Sequence, residues 1–235
     1  MDLALYDPNS GYYATGQGKI GKQGDYFTNV SVGPVFGAVL ADQFQEMWKQ
    51  LRSSRPLVLV EQGANDGQLA FDLLSAFDES VLGALEYWIV EPFPILRRWQ
   101  ETKLERFEAK LHWVESLDAL PVFEGIHFSN ELVDAFPFHL IRSTGTGWEE
   151  LLVATDGSRF VFQGGAPSQL LTNQLRDLPH RPIGTLAELR PAAGAWIHAL
   201  SKKLRAGFVL IVDYGFSREQ LLAAHRTEGT YACYR

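Results

Sequence analysis

Apolar positions along this chain change period in a regular order. Between Val35 and Leu51 they fall at Val35, Phe36, Val39, Leu40, Phe44, Met47, Trp48 and Leu51, the spacing of one helical stripe, and Pro56 closes the segment. Short apolar runs follow at 57–61 (LVLVE), 87–91 (YWIVE), 111–115 (LHWVE) and 126–129 (IHFS), with helical patterns near 68–77 and 93–110. Strands alternating with helices at this interval predict right-handed βαβ units and a parallel sheet. The alternation then stops. FHLIR, WEELLVA and SRFVFQ read as consecutive β-segments, the last two joined across the tight-turn pair Asp156-Gly157, and predict an antiparallel insertion beside the sheet. A helix over 191–205, with Ala192, Ala195, Trp196, Ala199 and Leu200 inward, returns the chain to GFVLIVDYG, whose apolar period suits a strand buried on both faces.

The first 33 residues have no such period. They are rich in glycine and aromatics (GYYATGQGKIGKQGDYFTN) and read as an ordered loop. Glycines at 16, 18, 21 and 24 would let it move as a lid; a packed surface loop is the plainer alternative. The predicted organisation is one α/β domain over 1–235, with a head at 1–33, a core at 34–137 and 184–235, and the β-rich insertion at 138–183.

Composition removes several function classes. At 235 residues and 46% hydrophobic, the chain can bury one good-sized core. The 21 Lys and Arg against 28 Asp and Glu leave a net charge of -7, which repels phosphate backbones and argues against a nucleic-acid partner. Cys233 is the only cysteine, which excludes a disulfide framework and a Cys-based metal site. The six histidines show no H-x-x-x-H spacing, so no metal is expected. No apolar run reaches roughly 18 residues, and MDLALYDPNSGYY lacks a signal peptide's apolar stretch; the expected setting is a soluble, reducing compartment such as the cytoplasm. No serine occupies a G-x-S-x-G elbow, which removes the hydrolase reading.

Candidate chemistry begins at VEQGANDGQLAFDLL, residues 60–74, where an apolar strand enters a small-residue turn and then a helix. At such a junction free backbone N–H groups and the helix dipole form a polar cradle. The dinucleotide fingerprint G-x-G-x-x-G does not fit, because Gln68 stands where its last glycine belongs. The spacing fits E-x-G-x-G-x-G, the S-adenosylmethionine loop, read as Glu61, Gly63, Ala64, Asn65 and Gly67, with Asn the non-glycine residue that best tolerates positive φ. A tight strand-to-helix turn without a ligand is the alternative. Glu91 ends the next strand, where an acid can accept both ribose hydroxyls of an adenosyl group; otherwise it is a surface carboxylate. In FSNELVDAF, residues 128–136, Glu131 and Asp134 lie three apart, so one helical turn would face both toward a guanidinium and let them accept its proton. Capping by Asp134 and structural packing of Glu131 compete with that reading.

Taken together, ALYDPNSGYY (4–13), IGKQGDYFTN (20–29), VFG (35–37), the 60–74 loop, IVEP (89–92), SNELVDAFPFHLI (129–141), ELRPAAGAWIHAL (188–200), VDYG and EGTYACYR resemble the MidA-like class I S-adenosylmethionine-dependent methyltransferases, which include the mitochondrial complex I assembly arginine methyltransferase. The resemblance covers nearly the whole chain. It implies a Rossmann-like sheet with helices on both faces, S-adenosyl-L-methionine as cofactor with S-adenosylhomocysteine as product, and methyl transfer to an arginine of a protein partner, in the mitochondrial matrix for a eukaryotic chain. It also implies roles: Glu61, Gly63, Ala64, Asn65, Gly67, Glu91 and Ser129 for the cofactor, Asn130, Glu131 and Asp134 for the acceptor, and Asp25, Phe27 and Thr28 as the head's lid over it. Three departures stand out. Asn65 replaces a loop glycine, Asn29-Val30-Ser31 replaces the family's Ser-Pro-Glu, and the chain stops at CYR where relatives continue, which reads as truncation at the sheet edge. A catalytically silent scaffold of the same fold is the competing function; a nicotinamide dehydrogenase is disfavoured by the loop spacing.

Overall fold

The computed structural model describes residues 1–16, 28–51 and 56–231. Asp25, Phe27 and Cys233 lie outside the described residues. The chain divides into two compact units, Met1–Ala135 with Trp196–Asp213, and Phe136–Ala195 with the segment from Tyr214 onward.

The first unit is built on a five-stranded parallel sheet. Its strands are β1 (Leu57–Gln62), β2 (Leu85–Val90), β3 (Leu111–Val114), β4 (Phe123–Asn130) and β9 (Leu204–Val212), numbered in chain order and arranged β3-β2-β1-β4-β9. The chain steps outward from β1 to β3, then returns to the other side of β1 at β4, so the direction of winding reverses between β1 and β4. That reversal opens a crevice at the carboxyl ends of the strands, where open α/β sheets bind ligands. Helices α1 (Asp2–Tyr6), α2 (Val35–Leu51), α3 (Gln68–Ala76), α4 (Glu79–Gly83) and α5 (Pro94–Lys103) belong to this unit.

Of the predicted α2 stripe, Leu40 and Phe44 are buried and Phe36, Met47 and Trp48 pack partly against the core, whereas Val35 and Val39 are exposed; Ala41, outside the stripe, is buried instead. Phe44 meets Phe128 of β4 at 4.9 Å between ring centroids, and Tyr87 of β2 meets Phe128 at 6.3 Å. Each such buried side chain contributes roughly 1.5–3 kcal/mol. Gly37 sets the approach of α2 to α3, because a Cβ there would lie 2.6 Å from the Asp72 Cβ.

Several expectations are corrected here. The helix expected over 93–110 ends at Lys103 and gives way to a 3-10 stretch, Glu105–Lys110. The helix expected over 191–205 is α7 (Pro191–Ser201), which ends early because Leu204 already enters β9; it buries Trp196 and Leu200 but leaves Ala195 exposed. The strand expected to be buried on both faces is buried on neither fully. Phe208 and Leu210 pack against the core, while Val209 and Ile211 are 38% and 42% exposed. Among the described residues β9 ends the sheet, and its second face is covered only in part, short of what a doubly packed parallel strand requires. The head, expected to be loop, contains α1 and a 3-10 turn at Asn29–Val32.

The second unit holds a four-stranded antiparallel sheet in the order β7-β6-β5-β8. Its strands are β5 (His139–Ser143), β6 (Trp148–Thr155), β7 (Phe160–Gly165) and β8 (Leu186–Leu189), accompanied by short helices α6 (Thr172–Arg176) and α8 (Arg218–Leu221). The three predicted β-segments are β5, β6 and β7. Gly157 supplies the positive φ of 93° between the last two, and Asp156 Oδ1 accepts the N–H groups of Ser158 and Arg159. Ile141, Leu171 and Ala187 form a small core of its own.

Candidate active site

Register places the candidate residues at one end of the first unit. Gln62 of β1 pairs with Val90 of β2 and with Ser129 of β4, and Asn130 pairs with Val212 of β9. The segments that follow therefore leave the sheet side by side: the 63–67 turn, Glu91, the 131–135 turn and Asp213.

The turn after β1 has the backbone its sequence suggests. Gly63 and Gly67 both have φ 82° and Asn65 has φ 48°, a left-handed conformation that Asn tolerates. The Gly67 N–H donates to the Ala64 carbonyl at 2.8 Å and α3 starts at once. Asp66 accepts from the Lys103 ammonium of α5 at 2.5 Å, and Gln68 Oε1 accepts from the same ammonium at 2.9 Å. Packing alone favours glycine at 63, since a Cβ there would lie 3.1 Å from Leu132 Cδ1.

Both strand-end acids are buried. Glu61 accepts the Tyr87 hydroxyl at 2.6 Å. Burial pushes its carboxyl up to about 7, with the Asp66 and Glu91 charges adding and the Tyr87 bond opposing. Glu91, 4% exposed, accepts the Phe93 N–H at 3.0 Å on one oxygen and the Gln100 amide at 2.8 Å on the other. Burial pushes it up to about 7 as well, against those two donors. A carboxylate has roughly four lone-pair sites, so two acceptor positions are left. Gln100 is fully buried; it also donates to the Asn65 carbonyl at 2.8 Å and accepts the Trp113 indole N–H at 3.0 Å.

On the β4 side, Asn130 Oδ1 accepts from the Asn29 amide at 2.9 Å. Glu131 sits at φ 49°, unusual for Glu, with its N–H on the Val212 carbonyl at 2.8 Å. Burial raises its carboxyl and the nearby Asp134 and Asp213 charges add, while the Asn29 N–H opposes them. Asp213 Oδ2 accepts the N–H groups of Val133 and Asp134 at 2.9 and 3.1 Å, which shapes the whole turn. The helical turn expected to carry Glu131 and Asp134 is instead a non-helical turn opened by Glu131. Thr28 begins the 3-10 stretch, its carbonyl accepting Ser31 N–H at 3.0 Å and its N–H reaching Ser31 Oγ at 3.4 Å. Ser31, standing where the resembled family has an acid, thus serves as a cap. Ser129 Oγ is buried without a hydrogen-bond partner among the described residues.

Gln100, Trp113, Lys103, Tyr87 and Asp213 were not singled out from sequence. One signal was there: Leu96, Gln100 and Leu104 fall four apart, so a polar side chain interrupts an apolar stripe. Among the described residues no cluster of His, Cys, Asp and Glu has metal-ligand geometry. An adenosyl cofactor fits what is there: a positive-φ turn at a helix start, an adjacent acid with spare lone pairs, and the unpartnered Ser129 hydroxyl.

The model of the family described as "Putative S-adenosyl-L-methionine-dependent methyltransferase" matches residues 39–235. Among curated relatives, "Protein arginine methyltransferase NDUFAF7, mitochondrial" of Danio rerio is 28% identical over 245 residues, covering 92% of this chain and 57% of the relative. Its Homo sapiens counterpart is 27% identical over 246 residues, with 92% and 54% covered. The chain thus spans a little over half the length of these relatives. A crystal structure from Burkholderia thailandensis, bound to S-adenosyl-homocysteine, superposes with a TM-score of 0.84 at 29% identity, covering 97% of this chain and 60% of that one.

Proposed function

The chain belongs to this family of S-adenosyl-L-methionine-dependent methyltransferases, and from that premise we propose that it uses S-adenosyl-L-methionine to methylate an arginine of a partner protein, with respiratory complex I assembly as the setting and the mitochondrial matrix as the compartment in a eukaryote. The observation that carries the reading is the pairing of two strand tips: a positive-φ turn after β1 and a buried acid after β2, tied together through Gln100. The names of the Danio rerio and Homo sapiens relatives support arginine as the acceptor.

When bound, the cofactor supplies a methyl group on a sulfonium, already activated toward a nucleophile. The protein's task is alignment and exclusion of water, worth roughly 7 kcal/mol or more. The backbone of Gly63, Ala64, Asn65 and Gly67 holds the methionine and ribose end, with Glu61 anchoring the strand beneath the turn. Glu91 receives ribose hydroxyls on its remaining lone pairs, and Ser129 Oγ donates to the ligand. Asn130 and Asp134 orient the guanidinium, and Glu131 takes the proton its nitrogen releases. The burial that raises the Glu131 carboxyl makes it a stronger base. Thr28 forms the head's share of the acceptor side.

A scaffold without catalysis draws support from Leu132 packed over Gly63 and from the near-complete burial of Glu91. Calorimetric titration of the full-length protein with S-adenosylhomocysteine separates the two. Micromolar binding that weakens roughly tenfold or more in Glu91→Gln is expected of the enzyme. Absence of binding would sink the enzyme and favour the scaffold.

A further inference from the structure

We propose that Gln100 is a positioning residue that fixes the ribose-binding acid at a set distance from the cofactor turn, an inference that rests on the methyltransferase reading. One amide nitrogen serves both sides of the site. Its two N–H groups diverge in a plane, one to the Asn65 carbonyl at 2.8 Å and the other to Glu91 Oε2 at 2.8 Å. Its oxygen accepts the Trp113 indole N–H at 3.0 Å. A flipped amide would aim that oxygen at two acceptors and its N–H groups at a donor, so the three partners together permit one orientation. The side chain is fully buried, with every polar atom matched.

The bridge matters because neither partner is held well without it. Asn65 has φ 48°, a left-handed conformation, and the bond to its carbonyl pins the peak of the turn in that path. Glu91 lies just past β2, and its other oxygen is tied only locally, to Phe93 N–H at 3.0 Å. Without Gln100, the Glu91 carboxylate would rotate toward other donors while the turn relaxed separately. Turn and acid would still be present, but out of register with the two ends of one ribose. The expected signature is therefore selective loss of the energy drawn from ribose hydroxyls.

The test compares S-adenosylhomocysteine with its 2′-deoxy analogue, both titrated calorimetrically into full-length wild type, Gln100→Met and Trp113→Phe, with melting curves for each. In the wild type, loss of the 2′-hydroxyl is expected to weaken binding roughly tenfold to a hundredfold, the range for a hydrogen bond to a charged group. In Gln100→Met that penalty is expected to fall below about threefold, as Glu91 no longer meets the hydroxyl. Trp113→Phe, at a part-exposed site less liable to misfold, is expected to reduce the penalty to an intermediate value. A purely structural role would lower both affinities in parallel and leave the ratio at its wild-type value in both variants, which would overturn the proposal. No binding of S-adenosylhomocysteine to the wild type would instead remove the reading on which it rests.

Discussion

Asn65 shows how one residue can depart from a pattern and keep its backbone. Its φ of 48° is the conformation glycine would supply, and Asn adopts it at lower cost than any residue with a longer or branched side chain. Asn65→Ala is therefore expected to destabilise the fold by about 1 kcal/mol, while Asn65→Gly stays within a few tenths, as read from urea denaturation midpoints. Equal losses in both variants would mean that the side chain itself is structural. Glu131 is a different case. Its φ of 49° has no such residue preference behind it, and it coincides with the position proposed for proton acceptance; strained backbone concentrates at active sites. The sequence pointed to Glu131 as a candidate but gave no sign that its backbone would be left-handed, because nothing local demands it.

At the level of elements, strand approach depends on glycines that no motif marks. A Cβ on Gly125 would lie 2.2 Å from the Val58 carbonyl oxygen, and one on Gly207 would lie 1.8 Å from the Gly125 carbonyl oxygen. Gly125 and Gly207 are register partners, so β1, β4 and β9 are held at their spacing by two absent side chains. Gly125→Ala is expected to cost on the order of 3 kcal/mol in thermal or urea melts. Gly194→Ala, on α7 with open space around it, is expected to stabilise by roughly 0.5–1 kcal/mol through helix propensity. Comparable effects at the two sites would refute the packing argument. Helix α5 teaches the complementary lesson: among its polar residues Gln100 is wholly buried and Lys103 is tied to Asp66.

For the molecule as a whole, buried titrating groups contribute to stability against pH with opposite signs. Glu61 is raised from 4.5 to about 7, so between those values the folded chain keeps a proton that the unfolded chain releases. Its contribution is complete below about 4.5 and is lost as pH rises through 7; Glu91 has the same sign. His127, fully buried and lowered from 6.5 to about 4, has the reverse sign: its contribution is present above 6.5 and is lost as pH falls through 4. The His127 effect offsets only part of the two carboxyl effects in the wild type, so a variant separates them. Relative to wild type, Glu61→Gln is expected to cost most near pH 5 and to gain ground toward pH 7, by up to about 1.4 kcal/mol per pH unit in urea titrations. A difference that stays flat over that range would show that Glu61 is ionised throughout.

What the sequence alone determined lies within a few residues of each position. Periods of 3.6 and 2 marked α2, the parallel strands and the β5–β7 segments, and the spacing after Glu61 marked a positive-φ turn, because burial of one face repeats along an element and turn chemistry is local. What only the tertiary structure decided is who meets whom across long separations. Asn65 finds Gln100 35 positions away, and Asp213 captures the N–H of Val133 from 80 positions away. Whether β9 is covered on one face or two depends on which elements pack against the sheet there rather than on its own apolar run. A period says that a face is buried; it carries no information on which neighbour buries it, and a hydrogen bond exists only once strand order and register have brought donor to acceptor.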